Sequence, residues 1–238
     1  MKWSPISSTL ISGKRDAILV DTAITIDQNQ KLVEWIGSSG KNLTTIYATH
    51  GHGDHFFGVN TIQKRFPKAR LVATREVIAV MRKQASPPVV NAYWKARFPG
   101  QIDSTLGVAD ELEAGVIELE GEQLVSVRLG HTDTESTTCL HVPSIGLAVC
   151  GDAVYNDVHL HLGESNADGR RSGSRRSIRS SPSILLRLSR DIRDPERPIR
   201  RIASKKHANT FATLAGSLPI PRRRRSCMSR CFRFIPTV

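Results

Sequence analysis

His50, His52, Asp54 and His55 place three imidazoles and a carboxylate within the six residues His50-Gly51-His52-Gly53-Asp54-His55. Imidazole nitrogen and carboxylate oxygen are good ligands for zinc and related divalent cations. Four such groups cannot converge on a regular element. On a strand they alternate between faces, and on a helix they spread around most of the circumference. A sharp turn is needed, and glycines at 51 and 53 permit one. Isolated histidines decorate many surfaces, but three with an aspartate directly after an apolar run point to a metal site.

The apolar run 43–49 reads as the strand that delivers this loop. Before it, residues 4–12 read as a strand, 13–16 as a turn, and 17–21 as a buried strand ending in Asp21-Thr22. Asp27 is expected to cap a helix running to about Ser38, with Leu32, Val33 and Ile36 inward. A helix over 56–66, a short strand over 69–73 and a helix over 76–83 follow. Strands alternating with helices indicate an α/β fold. Further on, 116–119 and 123–129 read as two strands, the second delivering Gly130-His131. A hairpin over 138–142 and 147–150 ends in Gly151-Asp152. His131 and Asp152 thus follow apolar runs, as the His50 loop does, and ligand sites in layered α/β folds gather at strand ends. His141, inside a strand, reads as structural, and Cys139 and Cys150 as small buried hydrophobes.

The pattern His-x-His-x-Asp-His resembles the signature of the metallo-β-lactamase superfamily. The resemblance implies an α/β fold of the αββα sandwich type over residues 1–165, incomplete at its C-terminal end. It also implies zinc, as one or two ions, with other divalent metals possible. Carried over residue by residue, His50, His52 and His131 look like the ligands of one ion. Asp54 and His55 look like ligands of a second, and Asp152 resembles the carboxylate bridging both. That bridge is more similar to glyoxalase II and lactonase-type hydrolases than to true β-lactamases. Two divalent ions lower the pKa of a shared water, so that a metal-bound hydroxide exists near neutral pH. The implied function is hydrolysis of a small ester, thioester or lactone. Asp54 and Asp152 would orient the nucleophile and pass a proton to the leaving group. Tyr155, three residues after Asp152, resembles a lactonase phenol that holds the carbonyl oxygen; a buried tyrosine with a satisfied hydroxyl is the plainer reading. Asp21 resembles the acidic residue that orders the metal loop, and equally reads as a simple turn carboxylate. The aromatic stretch 86–102 is either an insert over the metal centre or an aromatic-anchored surface loop.

The resemblance fails at the final ligand, a histidine after Asp152. His159 and His161 come too soon, and His207 follows Ser204-Lys205-Lys206 rather than an apolar run. The resemblance implies one more strand before the opening hairpin, so the sandwich is expected to be short of one edge strand. Charge divides the chain at the same place. Residues 166–238 hold 19 Lys and Arg against 4 Asp and Glu, which leaves 15 against 18 in residues 1–165. The basic Arg/Ser-rich stretch has little periodicity and is expected to be disordered or to replace the family's usual ending, by a frame shift or a misplaced splice junction near residue 166. As alternatives it is a nucleic-acid-binding arm, for which Arg222 to Arg225 are suited, or a segment open to phosphorylation. No apolar run has membrane-spanning length, and a cytoplasmic protein with a small-molecule substrate and no membrane partner is expected. A catalytically impaired relic of the fold is the alternative to an active hydrolase.

Overall fold

A computed structural model describes residues 6–154, 161, 163–164 and 187–189. Two five-stranded sheets face each other. The first runs in the order β1 (Thr9–Ser12), β2 (Asp16–Val20), β3 (Asn42–Tyr47), β4 (Arg70–Ala73), β5 (Asp110–Glu111). Its β1–β2 pair is antiparallel and the remaining pairs are parallel. Parallel neighbours need crossover connections, and these are α1 (Ile26–Ser38), α2 (Val59–Arg65) and α3 (Arg75–Gln84). The second sheet runs β10 (Arg187–Ser189), β9 (Leu147–Val149), β8 (Thr137–Val142), β7 (Glu122–Gly130), β6 (Val116–Leu119). It is antiparallel except for the β10–β9 pair.

Alternation along each strand divides the core. On the helix side, Leu10, Leu19, Ile46 and Leu71 pack with Leu32 and Ile36 of α1, Ile62 of α2 and Met81 of α3. Between the sheets, Ile11, Ile18, Val20, Tyr47 and Val72 meet Leu119, Leu124, Leu140 and Val149. The period of two in strand side chains produces this split. The Tyr47 hydroxyl crosses the interface to Ser126 Oγ at 2.6 Å and Thr138 Oγ1 at 2.7 Å. Burial pushes this phenol's pKa up, so the hydroxyl remains protonated and can act as a donor. The outer face of the second sheet carries a smaller buried cluster that includes Leu129, Cys139, Ala148 and Cys150. The described residues therefore form helix, sheet and sheet layers of the αββα type, with no described helix on that fourth face.

Several local expectations need correction. The α1 cap is Thr25 rather than Asp27. The Thr25 side chain accepts from Gln28 N, and Gln28 Oε1 accepts from Thr25 N, a reciprocal pair that a carboxylate two residues later cannot make. Phe56 and Phe57 belong to the metal loop and not to the following helix, which starts at Val59. Residues 86–102 are largely helical, with turns at Pro87–Val89, Val90–Trp94 and Lys95–Arg97. Within the basic stretch, Arg187–Ser189 lies parallel to β9 along its edge, which leaves the expectation for residues 166–238 as a whole standing as it was.

At the far end of the sandwich, Glu120 joins the two sheets. Its carboxylate accepts from the backbone N–H of Lys14 at 2.7 Å, Arg15 at 2.6 Å and Asp16 at 2.9 Å, in the turn between β1 and β2. Those bonds hold its pKa down at about 2. No helix among the described residues is long and apolar enough to cross a membrane.

Candidate metal centre

β2 and β3 are parallel neighbours, so Asp21 and residues 48–50 leave the sheet side by side. Asp21 has φ 58°, a left-handed conformation that aspartate tolerates better than most residues. There its carboxylate accepts from Thr49 N at 2.8 Å and from Thr49 Oγ1 at 2.8 Å, and it faces His55 Nδ1 at 3.0 Å. Thr22 N donates to His55 O at 2.9 Å, and Gly58 N donates to Thr22 Oγ1 at 3.2 Å. Asn29 of α1 locks the same segment: Oδ1 accepts from Ala23 N, while Nδ2 donates to Ala23 O and Thr25 O. The plain turn reading of Asp21 therefore gives way to the ordering role.

These contacts set the proton positions on two rings. The Thr49 hydroxyl gives its hydrogen to Asp21, so at 3.1 Å it accepts one from His50 Nδ1. The lone pair of neutral His50 is thereby left on Nε2. Asp21 stands at ion-pair distance from His55 Nδ1, a charge that favours that ring's proton there and leaves Nε2 toward Asp152. His50 Nε2 lies 3.2 Å from His52 Nδ1, and His55 Nε2 lies 3.4 Å from Asp152 Oδ1.

Gly51 and Gly53 serve differently from the expectation. Neither has a positive φ, and what they supply is close approach. A Cβ at 51 would stand 2.5 Å from Val80 Cβ, and one at 53 would stand 2.7 Å from Phe57 Cζ and 2.9 Å from Trp94 Cε2. Trp94, whose indole N–H donates to Gln84 Oε1 at 3.0 Å, anchors the aromatic insert against the metal loop.

Two groups of buried donors result, each with its ligand atoms within 4.8 Å of one another: His50, His55 and Asp152; and His50, His52 and Asp133. Asp133 Oδ2 lies 3.1 Å from His52 Nδ1 and 3.5 Å from His50 Nε2. Its other oxygen is 2.8 Å from Thr132 Oγ1 and 3.4 Å from Thr137 Oγ1. Of the residues expected at the centre, His50, His52, His55 and Asp152 come together. Asp54 stands at the margin, its Oδ1 4.0 Å from His55 Nε2 and in neither group. His131 is in neither group, and its Nε2 lies 3.0 Å from the carbonyl oxygen of Glu164. Tyr155, His159 and His207 lie outside the described residues. His161 is described, with its ring centroid 6.4 Å from that of His52. Sequence reasoning does not single out Asp133. Its only signal is its position two residues after His131, where the spacing repeats that of His50 and His52.

The buried charges of the cluster act on one another. Burial, reinforced by neighbouring His55, lowers the pKa of His50. Burial also opposes the charged forms of the other two rings, but carboxylates prevail there. Asp152 and Asp21 raise His55 well above the ordinary histidine range, and Asp133 and Glu164 raise His52 to about 10. Burial would likewise raise Asp133 and Asp152, yet His50 and His52 pull the first down and His55 the second. A divalent cation suits this donor set. Both ring nitrogens of His55 and Asp133 Oδ2 are buried without a well-formed hydrogen bond among the described residues, which is costly unless something else satisfies them. A cation would displace protons from the imidazoles as it bound.

The family model of the metallo-beta-lactamase superfamily matches residues 1–193, and the chain belongs to that family of metal-dependent hydrolases. The uncharacterized protein YobT of Bacillus subtilis (strain 168) is 28% identical over 68 residues, which are 29% of this chain and 29% of YobT. Among solved structures, the metallo-beta-lactamase family protein TTHA1429 from Thermus thermophilus superposes with a TM-score of 0.61 at 18% identity, covering 79% of this chain and 68% of that one. TTHA1623 in a di-iron-bound form superposes with a TM-score of 0.57 at 17% identity, covering 79% and 87%. At these identities the structural likeness is one of fold.

Proposed function

We propose that the protein hydrolyses a small ester, thioester or lactone with the help of one or two divalent ions, zinc being the leading choice. The observation behind this reading is the convergence of two buried donor groups that share His50. An ion would be held by His50, His52 and Asp133 or by His50, His55 and Asp152; with His50 on the first, a second ion would keep His55 and Asp152. Divalent ions bound there supply Lewis acidity and a water acidified toward neutral pH. Asp21 and Thr49 keep the His50 and His55 protons on the outward nitrogens. Asp54, at the margin of the cluster, would take a proton from a nucleophile and return it to a leaving group. Tyr155 remains a proposed contact for the substrate carbonyl. Zinc is not the only fitting metal, since imidazole and carboxylate donors also suit iron.

Binding without turnover is the second reading. It is favoured by the position of His131 outside both groups, which leaves each with three side chains. Metal analysis of the purified full chain, combined with a screen of ester, thioester and lactone hydrolysis, separates the two. His52→Ala is expected to lower metal content and abolish hydrolysis together. Full metal retention in that variant would refute the site.

A further inference from the structure

His52 has two ring nitrogens, and only Nδ1 faces His50 and Asp133. The other, Nε2, lies 3.2 Å from Glu164 Oε2. That same carboxylate oxygen accepts from Thr134 Oγ1 at 2.8 Å, which fixes it from the opposite side. The backbone of Glu164 contributes as well, since its carbonyl lies 3.0 Å from His131 Nε2. One residue thus holds two imidazoles and a threonine that leave the second sheet and the metal loop from different directions. Glu164 is half-exposed while the Asp133 carboxylate is almost fully buried, so His52 lies between an outer carboxylate and an inner one.

We propose that Glu164 is a positioning residue of the metal centre: its carboxylate holds the Nε2 hydrogen of His52 and so presents the Nδ1 lone pair to the ion. The idea rests on the metal-site reading above and adds to it a residue absent from the histidine-rich loop. An imidazole that donates its second N–H to a carboxylate is fixed in tautomer and ring orientation and becomes a stronger base. Thr134 gives the carboxylate a second fixed contact, so the ring is held by a braced partner rather than a freely swinging side chain.

The test measures equilibrium zinc affinity of the full chain by competition with a chelator, for the wild type, E164A and E164Q. Loss of such an outer partner costs about tenfold to a hundredfold in metal affinity, the range expected for E164A. E164Q keeps an acceptor oxygen without the charge and should fall between E164A and the wild type. The melting temperatures of the metal-free proteins should differ by no more than about 4 °C, because a half-exposed ion pair contributes at most about 1 kcal/mol. E164A affinity within about twofold of the wild type would overturn the proposal. So would equal affinity losses in both variants accompanied by equal drops in metal-free melting temperature, since that pattern reports folding. A wild-type chain that takes up no zinc, cobalt or iron would instead end the metal-site reading itself.

Discussion

Gly58→Ala isolates the contact that docks α1 under the metal loop. Gly58 has φ −75° and ψ −6°, where alanine carries no backbone penalty. Its added Cβ, however, would lie 1.9 Å from Asn29 Oδ1, 2.1 Å from Cγ and 2.4 Å from Nδ2. Ordinary contact begins at 3.4 Å, so either the Asn29 side chain or the loop must move by more than an ångström. Swinging Asn29 away breaks its bonds to Ala23 N at 3.0 Å, Ala23 O at 2.8 Å and Thr25 O at 2.8 Å. Leaving both buried Ala23 groups unsatisfied costs roughly 2–6 kcal/mol at about 1–3 kcal/mol each. Moving the loop instead overpacks the core, at a cost of about 1–3 kcal/mol. Either route removes a large part of a typical domain stability of about 5–15 kcal/mol. The assay is urea unfolding followed by circular dichroism for the wild type, Gly58→Ala, Asn29→Ala and the double variant. Asn29→Ala removes the obstructing amide, so adding Gly58→Ala to it should cost less than about 1 kcal/mol, a coupling well beyond the usual additivity error. Single-variant losses that add within about 0.5 kcal/mol would refute the reasoning.

Two further predictions test the site and its scaffold. Asp133→Ala should lower metal content more than His131→Ala, because only Asp133 contributes to a donor group; the reverse order by metal analysis would return His131 to the inner set. Glu120 has a pKa depressed from 4.5 to about 2, so its stabilisation is fully present above the unfolded-state value and is lost as pH falls through the folded one. The stability gap between wild type and Glu120→Gln in urea melts should therefore be widest near neutrality and narrow from about pH 4.5 toward about pH 2. A gap that is constant across that window would show that the charge of Glu120 contributes nothing.

Much of the fold was readable because strand and helix periods are long-range regularities in the chain. The strands that leave toward the site, β2, β3, β7 and β9, all end within a residue or two of the expected positions. β5 and β10 escaped notice because Asp110-Glu111 and Arg187-Leu188-Ser189 offer neither alternation nor an apolar run, whereas the three residues of β9 are all apolar. The helical character of 86–102 was hidden by Pro87 and Pro88, which are tolerated because they begin the first turn. At the site, the His50–His55 loop is dense enough to declare itself. Asp21 is not, because its part depends on a left-handed backbone and a threonine 28 positions away. The presence of Asp133 in a donor group while His131 stands in neither has a similar cause. The chain leaves β7 through a bulge between Arg128 and Gly130, Gly130 has φ 83°, and residues 131–134 are bends rather than strand, so alternation no longer tells which side chain faces inward. No alternation of residue types announces such a bulge.

Because Asp21 reaches His55 directly and His50 through Thr49, both donor groups share one hidden support. Anyone redesigning one of the two donor groups would find this carboxylate a poor handle, since exchanging it disturbs both at once. Independent tuning belongs to the aspartates supplied by the opposite sheet, each of which serves a single half. Adaptation by single substitutions faces the same constraint, and the least-travelled position in the neighbourhood should be the buried acid that stands in neither donor group.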